Sequence, residues 1–177
     1  VQAQAGRLGL ASSQFAKGDF AKARQLYEDF LADPQGMNYM EPFAREGLGY
    51  CHEAQKNYDR ALENYRVLEK IDNGDHADLA KYHQARMLEK MGKRTEAAEL
   101  YRGIVQRSQQ ATDDMVINGF IADRSGSRLE VIDPGADVLK RRSKKRGTDL
   151  LELLRRQQAG GGGGSPLPIP RRPAREE

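Results

Sequence analysis

One cysteine among 177 residues, no cluster of histidines and no long apolar run are the first features of this chain. Each shortage excludes something. Cys51 alone forms no internal disulfide, which fits a reducing cytoplasm and equally a bacterial periplasm or cell envelope, where many proteins have none. No stretch comes near the roughly 18 consecutive apolar residues that a membrane-spanning helix needs. His52, His76 and His83 do not stand at metal-ligand spacing from Cys51. Cys51 and His52 are adjacent and diverge by about 100° on a helix, so Cys51 reads as core and His52 as surface. No glycine-rich phosphate loop follows a strand, and Gly160–Gly164 lack a Lys-Ser/Thr partner, which leaves a linker. Asp113 and Asp114 read as charge at a helix N-terminus rather than as an acid–base pair. No catalytic residue, metal ligand or cofactor is expected. The chain starts at Val1 rather than Met, which leaves any upstream segment open.

The net charge of +3 is unevenly placed. Residues 1–108 hold 16 basic and 16 acidic residues, and residues 109–177 hold 13 and 10. The excess sits in Lys140, Arg141, Arg142, Lys144, Lys145 and Arg146. That run suits an anionic partner, whether nucleic acid, membrane surface or acidic protein. No aromatic residues interleave it to stack on bases, and a solvated charged helix accounts for it as well.

What the chain does have is a repeat. Ala-x3-Tyr occurs at Ala23/Tyr27, Ala61/Tyr65 and Ala97/Tyr101, spaced by 38 and 36 residues. A polar turn precedes each: Lys17-Gly18-Asp19-Phe20, Lys56-Asn57-Tyr58-Asp59 and Met91-Gly92-Lys93-Arg94. Apolar residues at helical spacing fill the segments between. Three helix pairs follow, at about 5–17 with 20–32, 41–55 with 58–71, and 77–91 with 95–106. Asp19 is a candidate N-cap, Pro42 suits a first turn, and Asp33-Pro34 and Asp72-Asn73-Gly74-Asp75 are stops. The small alanine lets two helices approach, and the tyrosine one turn later fills the gap. The expected fold is all-α, a solenoid of about three helix-turn-helix units over residues 1–108.

Beyond residue 108 the pattern changes. Residues 115–122 and 128–133 flank Arg124-Ser125-Gly126-Ser127 and read either as a short hairpin or as a capping helix from Thr112 followed by a loop. Asp133-Pro134 resembles an N-cap with proline at N1, opening another helix. Leu150 to Arg156 offer a short amphipathic helix that completes an extension over 109–159. Residues 160–177 read as a disordered Gly/Pro-rich tail.

The string Gly18-Asp19-Phe20-x2-Ala23-x3-Tyr27, its copies and the pair Leu48-Gly49 resemble the tetratricopeptide repeat over about residues 4–108. The third copy departs from the pattern, with Arg94 in place of an aromatic residue. Units longer than about 34 residues are similar to those of bacterial envelope repeat proteins, such as the periplasmic subunit attached to the secretory translocon. The resemblance implies a non-catalytic scaffold that holds a protein or peptide partner in a groove lined by the first helix of each pair. By alignment the groove positions include Phe15, Phe43, Glu46, Tyr50, Tyr82 and Arg86, with Leu8, Ser12, Glu53 and Glu89 beside them. In family members that clamp a chaperone's terminal carboxylate, the clamp positions align with Leu8, Ser12, Tyr50, Tyr82 and Arg86. Only Arg86 has the chemistry for that role. Self-association through a solenoid end and accessory binding of nucleic acid or an anionic membrane surface by residues 140–156 are the alternative readings.

Overall fold

The structure is a computed structural model and describes residues 2–71, 77–110 and 119–135. All of them lie in one compact unit, Val1–Val138. The basic run at 140–146, the helix expected near Leu150 and the tail lie outside the described residues.

Among the described residues seven α-helices follow in order: α1 Gln2–Ala16, α2 Phe20–Ala32, α3 Glu41–Ala54, α4 Tyr58–Ile71, α5 Ala77–Lys90, α6 Arg94–Gln110 and α7 Gly119–Ile132. A short 3-10 turn, Asn38–Met40, leads into α3. Each helix packs on the next, and in addition α1 touches α3 and α5 touches α7. The odd-numbered helices, the first of each pair, therefore share a face. Among the described residues no helix is long and apolar enough to cross a membrane.

Local chemistry sets the boundaries. The Asp19 carboxylate accepts from the Lys22 amide at 3.1 Å and caps α2, and Pro42 occupies the first turn of α3. The turns inside the three pairs share one backbone solution. Gly18 and Gly92 adopt φ of +82° and +79°, and Lys56 takes the equivalent position at +61°. Glycine enters that left-handed region freely, whereas a side chain meets the adjoining carbonyl there.

Two apolar clusters form the core. One joins α1, α2 and α3 through Leu8, Ala11, Ala23, Tyr27, Phe30, Ala44, Leu48 and Cys51. The other joins α4 to α7 through Ala61, Tyr65, Leu68, Met87, Ala97, Tyr101, Ile104 and Leu129. Burying a side chain the size of Phe30 or Leu68 contributes about 1.5–3 kcal/mol. The repeated alanines and tyrosines are all buried. Two glycines make room for two of those tyrosines. A Cβ at Gly49 would lie 2.4 Å from the Tyr65 ring, and one at Gly47 would lie 2.4 Å from the Tyr27 ring.

One expectation needs correction, and one open alternative is resolved. His52 is buried, at 4% exposure, because α3 packs between α2 and α4. Of the two readings left open near residue 125, hairpin or helix, the structure has a helix, α7. Its Ser125 and Gly126 are buried on the packed side, and the Ser125 hydroxyl donates to the Ile121 carbonyl at 2.7 Å, so small residues permit close packing where they resembled a turn. Asp133 follows the last turn of α7, and the helix expected from Pro134 falls mostly outside the described residues. Asp133 pairs with Arg102 at 2.9 Å, and Pro134 and Gly135 form a turn.

Candidate functional site

The odd-helix face carries a connected set of polar side chains. At its centre is His83 of α5, buried at 3% exposure and stacked on Tyr65 with ring centroids 4.7 Å apart. The Arg86 guanidinium can only donate, so at 3.0 Å it donates to His83 Nδ1. That leaves the ring proton on Nε2, which donates to the Tyr50 oxygen at 3.0 Å. Tyr50 in turn donates to Glu46 at 2.8 Å. Arg86 also pairs with Glu53. The chain of bonds crosses from α3 to α5 and fixes the two helices side by side. Burial, with the Glu46 carboxylate next in effect, pushes the Tyr50 hydroxyl well above its usual range, so it stays a donor.

A second group links α5 to α7. Glu89 accepts from Tyr101 at 3.3 Å and pairs with Arg128. Burial, followed by the Glu89 charge, pushes the Tyr101 hydroxyl upward. Arg124 lies over the Phe120 ring at 4.9 Å from its centroid, and Phe120 is 62% exposed.

Two clefts open on this face. One, of about 410 Å³, is lined by Phe15, Tyr50, Glu53, Lys56, Arg86 and Lys90, among others. The other, of about 580 Å³, lies between α5 and α7 and is lined by Tyr82, Arg86, Lys90, Phe120, Arg124 and Arg128, among others. Arg86 and Lys90 border both, so the clefts adjoin along α5.

The residues singled out from the sequence are distributed unequally. Phe15 packs against Phe20 and Tyr50, with centroids at 5.2 and 6.2 Å, and lines the smaller cleft with Tyr50 and Arg86. Tyr82 lines the larger cleft but is buried, with Arg86 5.9 Å from its ring centroid and Tyr101 against its edge. Glu46 is held by Tyr50 and lies 3.4 Å from His83. Phe43 lines neither of these clefts. It stands half-exposed, with its ring centroid 6.3 Å from that of Tyr27.

Comparison with protein families agrees with this architecture. Two tetratricopeptide repeat models match, one over residues 8–76 and the other over residues 79–110. The chain belongs to the tetratricopeptide repeat family. Among solved structures it is similar to a chain in the crystal structure of a T3SS complex from Aeromonas hydrophila, with a TM-score of 0.61 and 19% identity. That likeness covers 77% of this chain and 85% of the other, and it is a likeness of fold. No curated protein sequence matches the chain.

Members of this family typically act as non-catalytic protein-interaction scaffolds, and the repeats here imply protein–protein interaction. Sequence reasoning missed several residues at the clefts, among them Lys56, Lys90, Phe120, Asp123, Arg124 and Arg128. Lys56 carries a readable signal, since it stands at the turn position that glycine fills in the other two repeats. Phe120 and Arg124 become legible only once residues 119–132 are known to be helical.

Proposed function

We propose that this tetratricopeptide repeat chain is a non-catalytic scaffold whose odd-helix face holds a segment of a partner protein and helps assemble a larger complex. The adjoining clefts along α5 are the observation that carries this reading. They combine aromatic rims at Phe15 and Phe120 with guanidinium and ammonium groups between them, the residue types that anchor interfaces. Helix α5 is packed by α4, α6 and α7, so the face is preorganised and little ordering cost falls on binding. The similar chain from a T3SS complex is itself found within an assembly, which supports a role in complex formation.

The test is selection from a displayed library of 15-residue peptides (about the length that spans such a groove) against the full chain, followed by affinity measurements on two variants. Phe15→Ala with Phe120→Ala should weaken the selected peptides by about 30-fold, the loss of one good anchor. Changing Lys144, Lys145 and Arg146 to Ser should leave affinity unchanged at physiological salt. The opposite pattern would replace this reading with electrostatic binding through residues 140–156.

A further inference from the structure

We infer that the segment held along α5 is acidic, with an apolar or aromatic residue at each end. The inference rests on the proposed groove and specifies the chemistry of its occupant. Around the two clefts the cations are Lys56, Arg86, Lys90, Arg124 and Arg128. Of the carboxylates there, Glu53 is neutralised by Arg86 and Glu89 by Arg128, and Asp123 is the third. Among the described residues Lys56, Lys90 and Arg124 have no acidic partner. Five cations against three carboxylates leave an excess of positive charge along one continuous strip. An acidic segment meets them with complementary charge, and a basic one meets repulsion.

Two further observations point the same way. Lys56 keeps a left-handed backbone at φ +61° where the other two repeats use glycine. A lysine at such a position gains nothing for the turn, but it brings an ammonium to the edge of the smaller cleft. Phe120 is exposed and lies beneath the Arg124 guanidinium. The stacking holds the cation in place at the rim while leaving its N–H groups free to donate to a carboxylate. Phe15 and Phe120, at opposite ends of the strip, offer seats for the terminal apolar residues. A nucleic acid backbone would also meet the cations, but it would meet repulsion from Glu53, Glu89 and Asp123 in the same strip.

Peptides selected as above and resynthesised with a fluorophore provide the measurement, with the full chain as receptor. The selected sequences should be rich in Asp and Glu between apolar ends. Exchanging their acidic residues for Asn and Gln should weaken binding at least tenfold. Lys90→Glu with Arg124→Glu, both at solvent-facing positions, should do the same. Lys56→Gly should weaken binding several-fold although its backbone is relaxed, which separates a binding role from a folding one. Neutral or basic selected peptides that still depend on Phe15 and Phe120 would overturn the acidic occupant and leave the groove reading standing. Acidic peptides indifferent to Lys90, Arg124, Phe15 and Phe120 would overturn both. Displacement of the peptide by a 15-nucleotide thymidine oligomer at equal or lower concentration would assign the strip to nucleic acid and overturn the inference.

Discussion

The two halves of the repeat unit are held together by different means. Between α1, α2 and α3 the long-range polar contacts are few and neutral or backbone-directed. Ser12 meets the Tyr27 hydroxyl at 3.1 Å, Gln4 donates to the Asp33 carbonyl at 2.5 Å, and the cluster beneath is apolar. Between α3, α5 and α7 the helices are joined by Glu53–Arg86, Glu89–Arg128 and the bonded series from Glu46 through Tyr50 to His83. An apolar seam is tolerant of small shifts. A hydrogen-bonded seam fixes distance and rotation, because each donor left unpaired in a buried place costs about 1–3 kcal/mol. The half that must hold cleft residues in register is the half with the directional bonds.

The two glycine–tyrosine contacts break this comparison most sharply. Gly49→Ala drives a Cβ against the Cε1–Cζ edge of the Tyr65 ring, which is fully buried and stacked on His83. Gly47→Ala meets the far edge and hydroxyl of Tyr27, in the more tolerant seam. Overpacking of this kind costs about 1–3 kcal/mol, against a gain of about 1 kcal/mol in helix propensity. Urea melts should place Gly49→Ala about 2 kcal/mol below the parent and Gly47→Ala within about 1 kcal/mol of it. Equal losses would mean that the two seams are equally rigid.

Ion pairs give a smaller contrast. Arg86→Met leaves the mostly buried Glu53 without its partner and should cost about 1–2 kcal/mol, below the figure for a fully buried pair because both groups retain some solvent. Arg45→Met removes a one-turn pair with Glu41 on the surface of α3 and should cost under about 0.5 kcal/mol. Similar midpoints for the two variants would show that the α3–α5 pair contributes geometry without stability.

Lys56→Gly reverses the sign. The turn should gain about 1 kcal/mol by relieving a left-handed lysine, an increase readable in the same melts. No gain would mean that side-chain contacts of Lys56 already offset the strain.

A pH effect is expected at His52, on the flank where α3 meets α2 and α4. Burial, with the Arg24 charge next in effect, holds its imidazole below the usual value of 6.5. As pH falls through that value the unfolded chain takes up the proton first. The stability His52 contributes is therefore present above about pH 6.5 and is lost as pH falls through its lower folded value. His52→Leu should reduce the drop in urea midpoint between about pH 7.5 and 5.5. An unchanged slope would assign the pH dependence to other groups.

The second helices of the pairs were legible because each buries one stripe, such as Ala61, Leu62, Tyr65 and Leu68 on α4. Helix α5 was less so. It buries Ala80, Tyr82, His83, Gln84, Ala85, Met87 and Leu88, nearly its whole circumference, so no single stripe describes it and its polar residues read as surface. Gln84 is paid no attention by periodicity, yet it donates to Glu69 at 2.6 Å and ties α5 to α4. Helix α7 was ambiguous because Arg124-Ser125-Gly126-Ser127 has turn chemistry in isolation and helical structure only against α6. The site followed the same division. Phe15, Tyr50 and Arg86 were accessible through the repeat pattern, whereas Phe120 and Arg124 depend on a tertiary contact that no local pattern encodes.

Hydrogen exchange on the full chain with and without a saturating selected peptide tests the central claim most directly. The account predicts slowed exchange in the last turn of α1 near Phe15 and in α3, α5 and α7, strongest in the last turn of α5 near Arg86 and Lys90 and the first turn of α7 near Phe120, with α2 and α4 unchanged. Protection confined to residues 140–156, or to α2, α4 and α6, would contradict it.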